Sequence, residues 1–310
     1  MAEATPTRTA VLVDGHRLTL TNLAKVLYPS SGTTKAEVMQ YLSAVAPALL
    51  PQLHDRLVTR VRWPHGTGGE SFFEKNVPAG APNWIHRVTI ESESSRRGHE
   101  HVVYPVIENL AGLTWLANLA ALELHVHQWR VDAQGTPLVP DRLVVDLDPG
   151  PGAGLGECSQ VALLVRDALA PVLPGAVVPV TSGNKGMQLY AATPGLRDPD
   201  GTRALAQALA EALAGAHSEL VTARMTKTLR PGKVFLDWSQ NTRAKTTICP
   251  YSLRGRGGSP TVAAPRTWEE VEAAAADRGA PMTQLGPTAV LRRLDDLGDL
   301  MTQLRPPTSR

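Results

Sequence analysis

Apolar positions recur along this chain with two periods, and the changes from one period to the other mark its elements. After Lys35, the residues Val38, Tyr41, Leu42, Val45 and Leu49 share one face of a helix. Thr33 or Thr34 is its cap, and Glu37 stands at or near the position of a capping box. Leu110, Leu113, Leu116 or Ala117, Ala120 and Leu124 predict a second helix, running into Leu124-His125-Val126-His127-Gln128-Trp129. Val161, Leu164, Val165, Ala168, Leu169 and Val172 predict a third, and Ala204–Ala214 a fourth. Closing helices are expected near 267–277 and over Ala289–Leu304. Alternation predicts a hairpin over Val11–Leu20 about Asp14-Gly15, and a strand over Thr59–Trp63 with Arg60 and Arg62 on one face. Residues 86–104 read as an exposed hairpin or loop, in which His99 and His101 alternate as on a strand face. Ala176–Val180 and Val234–Gln240 are further strands, the latter placing Asp237 with Phe235 and Ser239.

The stretch Arg142–Pro149 carries the chemistry. Leu143, Val144, Val145 and Leu147 follow without a turn signal, as in a strand with much of its surface buried. Alternation then turns Asp146 and Asp148 to one face and Leu147 to the other, with Pro149-Gly150 ending the strand. Two acids side by side repel each other unless a cation lies between them, which suggests a divalent metal. Taken alone, Asp-x-Asp is more often a pair of solvated acids. The next helix and Ala176–Val180 complete a strand-helix-strand unit. It ends in Thr181-Ser182-Gly183-Asn184-Lys185-Gly186, where glycines around a lysine let backbone approach a phosphate. This is no Walker A loop, because no helix follows directly. Asp237 would add the third acid that a two-metal site needs.

Other stretches admit two readings each. Phe72 and Phe73 are either core or a base-stacking platform worth about 1–3 kcal/mol per base. Lys25 and Lys35 flank the loop before the first helix and either hold a phosphate there or remain solvated. His125 and His127 serve a nucleotide or are satisfied by backbone. The run Arg224–Lys233 holds four positive charges and no negative ones, which favours a phosphate backbone.

Composition narrows the class. The 310 residues are 43% hydrophobic and 19% charged, as in a soluble globular enzyme. A net charge of +2 requires any basic surface to be local. Two cysteines without a Cys-x-x-Cys exclude a disulfide scaffold or cysteine zinc site. Neither a membrane-length apolar run nor a signal peptide is found, so a cytoplasmic protein without membrane contact is expected. One compact unit is expected over 11–305, with a smaller N-terminal module over about 11–60 and flexible tails at 1–10 and 306–310.

Asp-Leu-Asp-Pro at 146–149, Thr-Ser-Gly-Asn-Lys-Gly at 181–186 and Val-Phe-Leu-Asp-Trp-Ser-Gln-Asn at 234–241 occur in that order. With Ser-Phe-Phe-Glu-Lys at 71–75, Leu-His-Val-His-Gln-Trp at 124–129 and Tyr-Ser-Leu-Arg-Gly-Arg at 251–256, the set resembles a known family from about Leu18 to Trp268. That family is the polymerase domain of bacterial ligase D and its stand-alone relatives in the archaeo-eukaryotic primase superfamily. The resemblance implies an α/β (α+β) fold with a central, mostly antiparallel sheet flanked by helices. It implies that Asp146, Asp148 and Asp237 are catalytic and hold two divalent ions, manganese or magnesium. Ser182, Lys185 and Arg254 would grip a triphosphate with Gln240 beside them, and His125 would meet the sugar of an NTP or dNTP, ribonucleotides often being preferred. Phe72 and Phe73 would pack on the template, Arg62 and Lys75 would be neighbouring DNA contacts, and Arg230 would help position template ends. Lys25 and Lys35 would bind the 5′-phosphate across a gap. Gln188 stands where the family usually has histidine; it still donates a hydrogen bond to a nucleotide but carries no charge.

The function implied is metal-dependent nucleotide addition at gapped, nicked or broken DNA during repair by non-homologous end joining, near the nucleoid, with Ku and a DNA ligase as partners. The alternatives are a catalytically weak module that binds 5′-phosphorylated ends, and a two-metal nuclease. No ligase or nuclease segment is recognised, which favours a stand-alone polymerase, and an excised domain fits the sequence equally.

Overall fold

The structure, a computed structural model, describes residues 7–92, 100–173, 175–277 and 281–304. Among the described residues six α-helices carry the framework: α1 (Lys35–Leu53), α2 (Leu110–Asn118), α3 (Leu155–Leu169), α4 (Gly201–Ala216), α5 (Trp268–Ala275) and α6 (Pro287–Leu297). Helix α1 begins where the sequence places it. Thr34 accepts from the backbone N–H of Glu37, and the Glu37 carboxylate accepts from the Thr34 backbone at 2.7 Å, closing the capping box.

The acidic strand spans Arg142–Pro149 as expected and organises a six-stranded sheet. The sheet runs in the order Val221–Thr222, Val234–Leu236, Arg142–Pro149, Met187–Ala192, Val177–Thr181, Ala264–Pro265. Only the first pair is parallel. Strand-helix-strand therefore holds for Arg142–Pro149, α3 and Val177–Thr181, with Met187–Ala192 inserted between the two parallel strands. A second, antiparallel sheet runs Thr247–Ile248, Ala121–Val126, Val58–Arg62, Phe72–Glu74. Alternation splits the core. Leu143, Val145 and Leu147 pack with Val161 of α3, Leu209 of α4 and Val271 of α5. Val144 and Tyr190, on the other face, join α1, α2 and the second sheet. Asp146 and Asp148 continue that second face beyond the apolar contact, so the acids open between the two sheets.

Several expectations are corrected. The N-terminal hairpin pairs Arg8–Val13 with His16–Thr21, so residues 8–10 are strand and not tail. Its turn is Asp14-Gly15, both at positive φ (47° and 75°), the backbone a two-residue hairpin demands. The helix expected to reach Leu124 stops at Asn118. Ala120 takes a left-handed φ of 57° and turns the chain into the strand Ala121–Val126. Val172 lies beyond α3 and is exposed, since Pro171 cannot extend a helix. The strand expected to run to Gln240 ends at Leu236. There the Asp237 carboxylate accepts from the Ser239 N–H at 3.1 Å and starts a short 3₁₀ turn over Trp238–Asn241. The region 86–104 is a hairpin, His86–Ser92 with Glu100–Val106; Arg96, Arg97 and His99 lie outside the described residues.

Candidate active site

Register brings the three acids together. Val234–Leu236 pairs with Leu147–Pro149, and the backbone N–H of Asp237 donates to the Asp146 carbonyl at 2.9 Å. Gln188 stands opposite Asp146 in the next strand. Its Nε2 donates to Asp146 Oδ1 at 3.0 Å, and its Oε1 accepts from the Tyr190 hydroxyl at 2.8 Å. Asp237 accepts from Ser239 and, at 2.7 Å, from Gln240 Nε2. Lys245 donates to Ser239 behind it. Among the described residues, no three His, Cys, Asp or Glu side chains form a closed metal cluster. Asp146 and Asp237 are instead each engaged by their own donors, Gln188 on the one and Ser239 and Gln240 on the other.

Burial and like charge both act against ionised acids on this wall. Burial first, then the charge of Asp148, pushes Asp146 up to about 7, against the hydrogen bond from Gln188. Asp148 is raised too, by burial and then by Asp237, and is eased by Arg230 and Arg254. Hard carboxylate oxygens that repel one another at an open wall are a donor set that Mg²⁺ or Mn²⁺ fits.

A cavity of about 300 Å³ opens in front of Asp146 and Asp148. It collects His125, Ser182, Lys185, Gln188, Arg230, Gln240 and Arg254, all singled out from the sequence, and adds Asn184 and Thr246, which were not. The loop 182–186 lies flat against its neighbours. A Cβ on Gly186 would sit 2.1 Å from the Leu147 carbonyl, and one on Gly183 (φ 72°) 2.7 Å from Arg254 Cγ. Arg254 Nε donates to the Ser182 carbonyl at 2.7 Å, fixing the guanidinium at the cavity wall. Arg230 stacks on Phe235 at 3.7 Å and donates to the Met225 carbonyl, so it belongs to the acid wall.

Glu123 escaped the sequence reading. This buried acid takes His125 Nε2 at 2.8 Å, Arg254 Nη1 at 3.2 Å and the Gly255 N–H at 3.1 Å. The hydrogen bond from His125, then Arg254, holds its pKa down at about 2 in spite of burial. The available signal was its position two residues before His125 on the same strand face.

Outside the cavity the assignments divide. Phe72 and Phe73 lie on an edge strand, not in a loop, yet both are exposed, 41% and 59%. Phe73 meets His125 edge-on with ring centroids 6.4 Å apart. Arg62 is committed to structure: Nη1 donates to Glu74 at 2.8 Å and Nε to the Leu119 carbonyl at 2.7 Å. Lys75 is half-buried beyond that strand. Lys25 and Lys35 are close, with the Lys35 N–H donating to the Lys25 carbonyl, but only Lys25 is partly open. The Lys35 ammonium is buried on the Thr21 carbonyl at 2.7 Å and Asn118 Oδ1 at 2.8 Å. Burial and then Lys25 lower its pKa to about 8.

The comparisons agree with this geometry. The family described as LigD, primase-polymerase domain, matches residues 34–301. The multifunctional non-homologous end joining protein LigD of Mycolicibacterium smegmatis is 47% identical over 288 residues, 93% of this chain and 36% of that protein. The bifunctional non-homologous end joining protein LigD of Bacillus subtilis is 37% identical over 257 residues, 83% of this chain and 40% of that protein. The chain thus spans about a third of the first relatives' length. A solved structure, the polymerase domain of Mycobacterium tuberculosis Ligase D in complex with DNA, matches with a TM-score of 0.86 and 45% identity, covering 93% of this chain and 98% of that one. Among the described residues no helix is long and apolar enough to cross a membrane. By fold, by cavity and by these matches, the chain belongs to the LigD primase-polymerase domain family of metal-dependent nucleotidyltransferases.

Proposed function

We propose that this chain adds nucleotides from a nucleoside triphosphate to primer 3′ ends at short gaps or breaks in DNA during end-joining repair. One observation supports the reading above the rest. A single cavity has repelling carboxylates on one wall and Ser182, Lys185 and Arg254 on another. The cationic wall suits a triphosphate, which hydrolysis of a DNA strand would not require. The acidic wall suits the divalent ions, manganese or magnesium, that Asp146, Asp148 and Asp237 would hold. When bound, such ions supply charge neutralisation and a more acidic 3′-hydroxyl.

The chain's own residues do the positioning. Arg254, tied to Glu123 and the Ser182 carbonyl, meets phosphate oxygens with a guanidinium that has little freedom left to lose. Lys185 brings a compact charge to the same loop. Glu123 takes His125 Nε2 and so leaves Nδ1 to a sugar hydroxyl, which supports a preference for ribonucleotides. Gln188 keeps one Asp146 oxygen engaged whatever the pH, since an amide does not titrate. Phe73, exposed next to His125, provides a face for a template base. Lys25 is the contact for a 5′-phosphate, with Lys35 adding charge from beneath. Ku and a DNA ligase are the partners this role would require.

The test is primer extension across a short gap carrying a 5′-phosphate, with manganese, comparing ribonucleotides with deoxyribonucleotides. Extension that is faster with ribonucleotides is expected. Tight, phosphate-dependent binding without extension would instead assign the chain as an end-binding module.

A further inference from the structure

We propose that a second cavity, at the opposite end of the acidic strand from the carboxylates, binds a small phosphate-bearing ligand. The cavity encloses about 630 Å³, the size range of small-molecule sites, and lies outside the active-site cavity. Among the described residues, its wall carries three guanidiniums, Arg56, Arg130 and Arg142, against one carboxylate, Asp141.

Asp141 is already committed. Both its oxygens take Arg56 Nη2, at 2.8 and 2.7 Å, and Oδ2 also takes Arg130 Nε at 2.9 Å. Among the described residues Arg142 donates only to neutral acceptors, Gln128 Oε1 at 2.7 Å and Gln52 Oε1 at 3.3 Å, besides lying over the Tyr190 ring at 5.1 Å. Arg56 and Arg142 are 1% and 4% exposed, and among the described residues Arg56 Nε and Arg142 Nη2 meet no hydrogen-bond partner. Buried positive charge in excess of its counter-charge is expensive unless an anion joins it. Burial, reinforced by Arg142, indeed lowers even Arg56 to about 9.

The chemistry selects the anion. Guanidinium forks match the oxygens of a phosphate, and three of them on one wall suit a multiply charged group. Met301 and Leu304 on the same wall give an organic body somewhere to pack. Arg56 and Arg142 lie too deep for the backbone of a DNA duplex, so the phosphate is assigned to a small molecule. Arg142 also begins a chain of contacts, through Tyr190 and Gln188, that ends on Asp146. A ligand held by Arg142 therefore touches the far end of the catalytic carboxylate's own support.

The experiment is calorimetric titration of the whole chain, in a chelator and at fixed chloride, with pyrophosphate, adenosine monophosphate and a 5′-phosphorylated single-stranded oligonucleotide as probes. Arg142→Gln risks the fold, so the informative variant is Arg130→Ala, whose half-exposed side chain leaves the buried pairs intact. Lys185→Ala removes the phosphate grip of the active-site cavity and serves as the contrast. A saturable site for pyrophosphate or the monophosphate is expected, kept in Lys185→Ala and weakened about tenfold in Arg130→Ala. Small-ligand binding that vanishes in Lys185→Ala but survives Arg130→Ala would overturn the proposal. So would binding of the oligonucleotide alone, or no saturable binding of any probe.

Discussion

The strand Arg142–Pro149 has two faces that follow opposite rules. On one, Leu143, Val145 and Leu147 are buried against α3, α4 and α5, and each such side chain contributes about 1.5–3 kcal/mol to stability. On the other, Asp146 and Asp148 stand side by side on one wall of a cavity, in surroundings that penalise their charge. The same eight residues thus hold a sheet together and carry a local strain of like charges. Period-two alternation lets one strand do both, because a change on one face leaves the other's register in place. Stability and activity should therefore separate residue by residue along it.

The largest expected effect lies on the acidic face. Asp148→Ala should lower primer extension about a thousandfold, the scale of removing a preorganised electrostatic group, with binding of gapped DNA unchanged. Extension kinetics beside a DNA-binding titration check this. On the apolar face, Leu147→Ala should cost about 2–5 kcal/mol of stability by leaving a cavity against α3. Denaturant titration reads that loss, and extension per folded molecule should stay near the parent's. Activity that collapses in Leu147→Ala while the protein remains folded would break the separation.

A smaller effect is expected from Glu123→Gln, which removes the charge that orients His125 and Arg254. The loss should fall on nucleotide KM by about tenfold, with kcat less affected and ribonucleotide discrimination reduced. Steady-state kinetics with both nucleotide types separate this from a merely structural role, which would lower active enzyme without changing either ratio. The smallest effects belong to the lysines. Lys25→Ala should reduce the preference for a 5′-phosphate by a few-fold. Lys35 has a depressed pKa of about 8, so its ammonium is present below that pH and lost above it. Phosphate preference should weaken as pH rises through about 8, while the stability linked to the Lys35 amine runs the other way, highest above about 10.5 and lost as pH falls from there to about 8. Lys35→Arg should hold the preference to higher pH; a preference flat from pH 7 to 9 in the parent would remove Lys35 from the site.

Local signals were the legible ones. Asp14-Gly15 marked its hairpin, Thr34 and Glu37 their capping box, and the alternation of Arg142–Pro149 its boundaries and the shared face of its acids. The resemblance carried His125, Ser182, Lys185, Gln240 and Arg254 to what proves to be one cavity. What stayed hidden depends on partners far away in the chain. Asp237 is legible as a third acid but reads as lying inside a strand, whereas its own cap on Ser239 ends the strand and its N–H ties it to Asp146. Arg62 reads as a free cation until Glu74 arrives from the neighbouring strand, and Lys35 until Asn118 closes over it. Glu123 is an ordinary strand acid until Arg254, over a hundred residues later, lands on it. A pattern along the sequence shows which way a side chain points and not what meets it there.

We infer that the acidic face of Arg142–Pro149 is kept for a divalent cation at the expense of local stability. The most direct measurement follows thermal unfolding and primer extension of one preparation, parent against Asp146→Asn, each in chelator and in manganese. The variant should be at least as stable as the parent in chelator, gain less from manganese and extend no primer. A variant that extends primers, or that gains from manganese as much as the parent does, would contradict it.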